Sequence, residues 1–165
     1  MAEKRSVGVQ ILGLLGFLAA TAAAGALGAW ATTPEVGGWY ARLRKPSWTP
    51  PGWLFGPVWT LLYALMAIAA WRVWRRPDAK PDARKTALAC WAFQLALNVG
   101  WSWIFFRAHQ TGFAFVELVS LWLAILATTV AFAGIDRPAA ALMVPYLLWT
   151  TFAGVLNGTI HRMNP

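Results

Sequence analysis

A single cysteine, two histidines and only six acidic residues in 165 positions leave little material for the commoner kinds of catalytic or metal site. One thiol can close neither an intrachain disulfide nor a thiolate metal centre. Cys90 falls early in a long apolar run, where a small buried hydrophobe is the usual role. His109 and His161 have no histidine or carboxylate at ligand spacing beside them, so no metal is expected. The chain has no Walker phosphate loop, no dinucleotide fingerprint after a strand and no Gly-x-Ser-x-Gly elbow, which removes the machinery of an energy-coupled pump or an ordinary hydrolase. Charge is scarce too: 12% of residues are charged, against ~25% in a typical soluble domain.

What the chain has instead is 59% apolar residues and twelve tryptophans, most of them near the ends of apolar runs or spaced on one face inside them. Five runs stand out, at residues 7–31, 53–74, 86–106, 113–135 and 139–160. Each approximates the ~20 residues with which an α-helix crosses a ~30 Å hydrocarbon core. Lipid leaves no unpaired backbone group satisfied, and the alternation of barrel strands is missing, so the runs are expected to be helices. The expectation is an all-α membrane protein: one domain over residues 1–165, a bundle of five transmembrane helices, with an ordered first loop at 32–52. A secretory signal is the rival reading of the first run, because Lys4 and Arg5 precede an apolar stretch that ends rich in alanine; the stretch is some ten residues too long for one. Gly16, Ala20, Ala24 and Gly28 recur every fourth position there and predict a close helix contact.

Basic residues set the orientation. Lys4, Arg5, Arg72, Arg75, Arg76, Lys80, Arg84, Lys85 and Arg137 fall on one side of the membrane, and Arg42, Arg44, Lys45, Arg107 and Arg162 on the other. The excess predicts a cytoplasmic N-terminus by the positive-inside rule, in what is expected to be a bacterial cell membrane. Basic loops beside lipid headgroups account for the net charge of +8, and no nucleic-acid partner is expected.

The first loop runs Trp39-Tyr40-Ala41-Arg42-Leu43-Arg44-Lys45-Pro46-Ser47-Trp48-Thr49-Pro50-Pro51-Gly52-Trp53. Its three prolines fix backbone angles and predict a stiff connection, with Tyr40 and Pro50 placed where a lid needs them. Trp48 and Trp53 read equally well as an interfacial aromatic belt or as pocket lining. In the third run, Gln94, Asn98, Trp101 and Phe105 recur at steps of four, three and four, which aligns them on one helix face. Ala89, Ala92, Ala96 and Gly100 take roughly the opposite face, suited to close contact within the bundle or across a homodimer. The second run carries Phe55, Trp59, Tyr63 and Met66 in the same way, and the fifth Tyr146, Trp149, Ala153 and Asn157. Such stripes are either bundle core or the walls of an apolar pocket with a few polar tips, and Asn98 is either a pocket group or an interhelical hydrogen bond. Pro57 and Pro145 lie inside these helices, where kinks would widen a pocket.

The strings Trp39-Tyr40, Lys45-Pro46-Ser47-Trp48-Thr49-Pro50-Pro51, Gly56-Pro57-Val58-Trp59 and Leu62-Tyr63, followed by Gln94, Asn98, Trp101 and then Pro145-Tyr146-Leu147-Leu148-Trp149, Phe152-Ala153 and Leu156-Asn157, resemble the translocator protein family, also called tryptophan-rich sensory proteins or peripheral benzodiazepine receptors. The resemblance spans the chain from the first helix to His161. It implies a five-helix bundle, commonly a homodimer, with a cavity beneath the first loop for porphyrins such as protoporphyrin IX and for isoquinoline or benzodiazepine-type compounds. Carried over by motif, the pocket comprises Tyr40, Pro50, Phe55, Trp59, Tyr63, Asn98, Trp101, Trp149, Ala153 and Leu156. The implied function is sensing, carrying or scavenging tetrapyrroles, with no cofactor required and membrane lipid as the surroundings. Two alternatives need the same cavity: a light- and oxygen-dependent porphyrin-degrading enzyme using Trp59 and Trp149, and a passive transporter of small lipophilic compounds. Two departures are visible. Residues 155–162 lack the tyrosine of the cholesterol motif in animal members, so sterol binding is not expected. Trp101 stands where relatives often carry Phe, a change expected to narrow the cavity.

Overall fold

The computed structural model describes residues 6–165, which leaves Lys4 and Arg5 outside the described residues. Five helices are long and apolar enough to cross a membrane: α1 (Val7–Val36), α3 (Gly52–Trp74), α4 (Pro81–Ser102), α5 (Thr111–Ala133) and α6 (Arg137–Met163). A one-turn helix, α2 (Trp39–Arg42), sits in the first loop, and α4 runs on into a π-helical turn, Trp103–Arg107. No strand occurs among the described residues. Around the bundle the order is α1, α3, α6, α5, α4 and back to α1, a closed ring of five neighbours. An integral multi-pass membrane protein is the architecture that these helices build.

Local chemistry sets the ends. The Ser6 hydroxyl accepts the Val9 N–H at the start of α1, and the Asp136 carboxylate accepts the Ala139 N–H at the start of α6. Pro81 opens α4 at a position whose N–H has no helical partner to lose. This start lies five residues before the 86–106 expected from the apolar run, because the first turn, Pro-Asp-Ala-Arg-Lys, is helical but polar and so lay outside that run. At its C-terminal end α1 continues through Pro34 to Val36, past the expected residue 31, so the irregular loop is shorter than 32–52.

The end of the bundle near the α5–α6 turn is tightly packed. Ala67, Ala69, Ala70, Ala87 and Ala139 have no exposed surface there, and Met66, Val73, Phe132 and Met143 fill between them. Tryptophan indoles tie helices across this region: Trp71 donates to the Gln10 carbonyl at 2.8 Å and Trp91 to the Met66 carbonyl at 3.2 Å. Asp136, nearly fully buried, accepts from Arg76 at 2.7 Å and from Arg72 at 3.2 Å, joining α3 to the N-terminus of α6.

The small-residue stripe of α1 behaves differently from its expectation. Ala24 is buried, and a Cβ on Gly28 would meet the Ser102 hydroxyl at 3.3 Å, so these two pack. Gly16 and Ala20 are exposed, with nothing near Gly16. Each four-residue step overshoots a helical turn by about 40°, so twelve residues turn the stripe through about 120°. One face cannot hold all four.

Candidate functional site

A cavity of about 1090 Å³ lies inside the ring at the first-loop end. All ten pocket residues carried over by motif line it: Tyr40 and Pro50 from the first loop, Phe55, Trp59 and Tyr63 from α3, Asn98 and Trp101 from α4, and Trp149, Ala153 and Leu156 from α6. They converge because α3, α4 and α6 each turn one aromatic stripe inward, and the first loop covers the end.

The aromatic wall is a linked set of rings. Trp59 lies 5.5 Å from Tyr63 and 6.1 Å from Tyr146, centre to centre, and Trp149 lies 5.7 Å from Phe55 and 5.5 Å from Phe152. Trp101 stacks on Phe105 at 5.3 Å, and its indole N–H donates to Asn157 Oδ1 at 3.1 Å. Such offset and edge contacts fix ring orientations that apolar burial alone leaves free.

Polar groups are few and paired. The Tyr63 hydroxyl donates to Asn98 Oδ1 at 2.6 Å, and Asn98 Nδ2 donates to the Tyr146 hydroxyl at 2.9 Å. Asn98 is therefore both of the things its sequence position allowed, an interhelical hydrogen bond and a group on the cavity wall. Lys45 is the one charged residue among those lining the cavity. Its ammonium donates to the carbonyls of Tyr40, Ala41 and Leu43 and sits 4.8 Å from the centre of the Tyr40 ring, which makes it a cap for α2. Burial pushes the Tyr40 hydroxyl above its ordinary value, so it remains a neutral donor.

Several stripe residues lie elsewhere. Gln94 and Met66 are fully buried outside the cavity, with Gln94 Nε2 3.8 Å from Met66 Sδ. Tyr146 is buried behind Asn98, and Asn157 reaches the cavity wall while donating from Nδ2 to the Thr111 carbonyl. Trp53 is 73% exposed and does not line the cavity, which removes the pocket-lining reading for it. Trp48 rests edge-on against Phe152 at 5.9 Å, outside the cavity lining.

Sequence reasoning missed a whole wall. From α1, Thr21, Gly25, Gly28 and Thr32 line the cavity, and Gly25 leaves room for the Tyr63 ring, which would stand 3.0 Å from a Cβ placed there. Their steps of four, three and four are the same signal that marked α4. The π turn was missed as well. It closes through Ala108 N–H to the Trp103 carbonyl at 2.9 Å and adds a residue to the turn, so that the adjacent Phe105 and Phe106 are both buried and both line the cavity.

Residues 17–163 match the TspO/MBR family. Among curated relatives, the chain is 42% identical over 149 residues to the protein CrtK of Rhodobacter capsulatus, covering 90% of this chain and 91% of that one. It is 42% identical over 138 residues to the tryptophan-rich protein TspO of Chlorobaculum tepidum, covering 81% and 84%. To the human translocator protein it is 43% identical over 126 residues, covering 76% and 75%. With a match that runs from the middle of α1 to the end of α6 and includes the loop above the cavity, the chain belongs to the TspO/MBR family.

Proposed function

We propose that this protein binds tetrapyrroles, protoporphyrin IX in the first place, and acts as their sensor, carrier or scavenger in the membrane. The observation that supports this reading is the cavity itself: about 1090 Å³ of mostly apolar space, walled by Trp59, Trp149, Phe55 and Trp101, with the Tyr63–Asn98 pair as its polar tip. Flat, conjugated molecules gain most from such walls, because ring stacking adds to simple area burial. Isoquinoline and benzodiazepine-type compounds share that flatness and fall within the same proposal. No cofactor is needed for binding of this kind.

A second reading is supported by one observation, that the indoles of Trp59 and Trp149 both stand on the cavity wall. Indoles beside a photoexcited macrocycle are oxidisable, so light- and oxygen-dependent degradation is the competing function. Illumination of purified protein with protoporphyrin IX, with and without oxygen, separates the two. Saturable binding with unchanged porphyrin absorbance supports the sensor or carrier; aerobic bleaching that disappears in Trp59→Phe or Trp149→Phe supports the enzyme.

The exposed α4 face is proposed as a homodimer contact. Ala92 and Ala96 are exposed, beside Phe93 at 61%, whereas Gly100 turns toward α5, where Glu117 Oε1 would lie 3.7 Å from an added Cβ. Ala96→Leu is expected to raise the monomer fraction in detergent severalfold with porphyrin affinity unchanged, read by multi-angle light scattering. Equal monomer content in mutant and wild type contradicts the contact. A bacterial cell membrane and a cytoplasmic N-terminus remain part of this proposal, the orientation supported by the basic cluster of Arg72, Arg75, Arg76, Lys80, Arg84 and Lys85 between α3 and α4.

A further inference from the structure

The first loop contributes Tyr40, Ala41, Lys45, Thr49 and Pro50 to the cavity wall, yet its polar attachment to the rest of the bundle is narrow. Within residues 43–51 the side chains and amides mostly bond to the loop itself: Lys45 to Tyr40, Ala41 and Leu43, and both the Thr49 amide and hydroxyl to the Pro46 carbonyl. The exception comes from 120 residues away. Asn164 Oδ1 accepts the Arg44 N–H at 3.0 Å, and Asn164 Nδ2 donates to the Arg44 carbonyl at 2.9 Å. Among the described residues, and apart from the local bond of the Leu54 N–H to the Pro51 carbonyl where α3 begins, these are the hydrogen bonds that link this segment to a membrane-crossing helix, and they reach it across the bundle end from α6.

The amide that makes them is held in place. Asn164 Nδ2 also donates to the Ile160 carbonyl at 2.8 Å, and the Asn164 backbone N–H reaches the Ile160 and His161 carbonyls at 3.1 and 3.2 Å. Ile160 and Leu156, on the preceding turns, line the cavity. One side chain thus mimics a strand partner for Arg44 while its own anchor is a cavity-lining turn of α6. The bonds go to the Arg44 backbone, so the identity of the side chain at 44 is immaterial to them. Both are partly open to water, where such bonds exchange readily with solvent ones.

We propose that Asn164 is a positioning residue, a latch that holds the first loop closed over the cavity and sets how fast ligand enters and leaves. The ligand side of this inference rests on the tetrapyrrole reading; the latch itself does not. Asn164 is absent from the cavity wall, so losing it changes the empty and the occupied protein alike. A change common to both states moves rates and leaves the equilibrium nearly where it was.

The test has two parts. Amide hydrogen exchange of residues 43–49 in ligand-free protein is expected to quicken by about three- to tenfold in Asn164→Ala, the loss of two modest hydrogen bonds, and to stay at the wild-type rate in Arg44→Ala. Stopped-flow fluorescence with protoporphyrin IX is expected to show association and dissociation quickened together in Asn164→Ala, with the equilibrium constant within about twofold. A variant ending at Met163 repeats the measurement should Asn164→Ala fold poorly. Unchanged exchange at 43–49 overturns the latch. Faster exchange with unchanged porphyrin rates overturns the gate and places ligand passage away from the first loop. A weaker equilibrium constant with unchanged association overturns it too, by making Asn164 part of the cavity's shape. Failure of the wild-type protein to bind protoporphyrin IX sinks the tetrapyrrole reading instead, and the exchange measurement then decides the latch alone.

Discussion

Near the α5–α6 turn, alanines bring the helices together; beneath the first loop, aromatic rings hold them apart. Ala67, Ala69, Ala70, Ala87 and Ala139 are all fully buried at the first end, and Gly13 lets the Trp74 ring lie against the α1 backbone. At the second end, Trp59, Trp101, Trp149 and Phe105 stand around about 1090 Å³ of space. Between helices in lipid the hydrophobic driving force is weak, so close backbone approach and specific hydrogen bonds carry association. Small side chains supply that approach at the closed end. The open end forgoes it, and ring-to-ring contacts together with the Tyr63–Asn98–Tyr146 chain hold its walls instead. Close packing and open space are thereby assigned to opposite halves of one bundle.

The largest expected effect sharpens that division from the closed end. Asp136→Asn keeps a helix-capping side chain but removes the charge that Arg72 and Arg76 share. Losing one partner of a buried pair costs ~3–5 kcal/mol, and the 40% exposure of the Arg76 side chain screens part of it, so a loss of about 2–3 kcal/mol is expected in detergent unfolding. Porphyrin affinity should stay as in the wild type. Burial alone would raise the Asp136 carboxyl, but the Ala139 N–H, Arg76 and Arg72 together hold it below the ordinary carboxylate value. An acid depressed by folding contributes its full stabilisation above that ordinary value, ~3.9, and loses it as pH falls through the folded one. The stability gap between wild type and Asp136→Asn should therefore be flat from about pH 5 to 8 and close below about pH 4.

A smaller effect probes the boundary between the halves. Both carboxyl oxygens of Glu117, on α5, are buried with no hydrogen-bond partner, beside Gly100 of α4. An unpartnered acid inside a membrane span is a cost without a visible return at the closed end or the open one. Glu117→Gln is expected to leave folding stability the same or raise it by no more than about 1 kcal/mol, read from the detergent melting curve. A clear fall in the midpoint would show that the acid contributes to packing and that the division between halves is less clean.

Much of this was legible in the sequence because lipid imposes few choices. Run length marked five spans, and the steps of four and three on α3, α4 and α6 marked the faces that meet. What escaped has physical causes. Thr21, Gly25, Gly28 and Thr32 carried the right spacing, but Gly28 was read with the every-fourth small residues as a helix contact, and a small residue that leaves room for a cavity gives the same signal. Gly16 and Ala20 were grouped with Ala24 and Gly28 by a period of four that drifts off the helical one. The π turn at Trp103–Arg107 has no signature in periodicity, since it is a change of period. The Asn164–Arg44 bonds join positions 120 residues apart and depend on a backbone path that composition does not reveal.

The central claim is that the aromatic half of the bundle is where a tetrapyrrole binds. The most direct measurement is a fluorescence-quenching titration of protoporphyrin IX against wild type, Trp149→Ala, Asn98→Leu and Trp122→Ala. Trp122 donates its indole N–H to Thr151 at 2.8 Å on the α5–α6 flank and does not line the cavity, so it reports on tryptophan loss away from the proposed site. Trp149→Ala removes a stacking surface worth ~0.5–1.5 kcal/mol beyond its area, and affinity should fall by about three- to tenfold. Asn98→Leu removes the polar tip at similar volume and should weaken binding severalfold, while Trp122→Ala stays near wild type. Equal affinity across all four proteins would contradict the account and place the porphyrin, if it binds at all, outside this cavity.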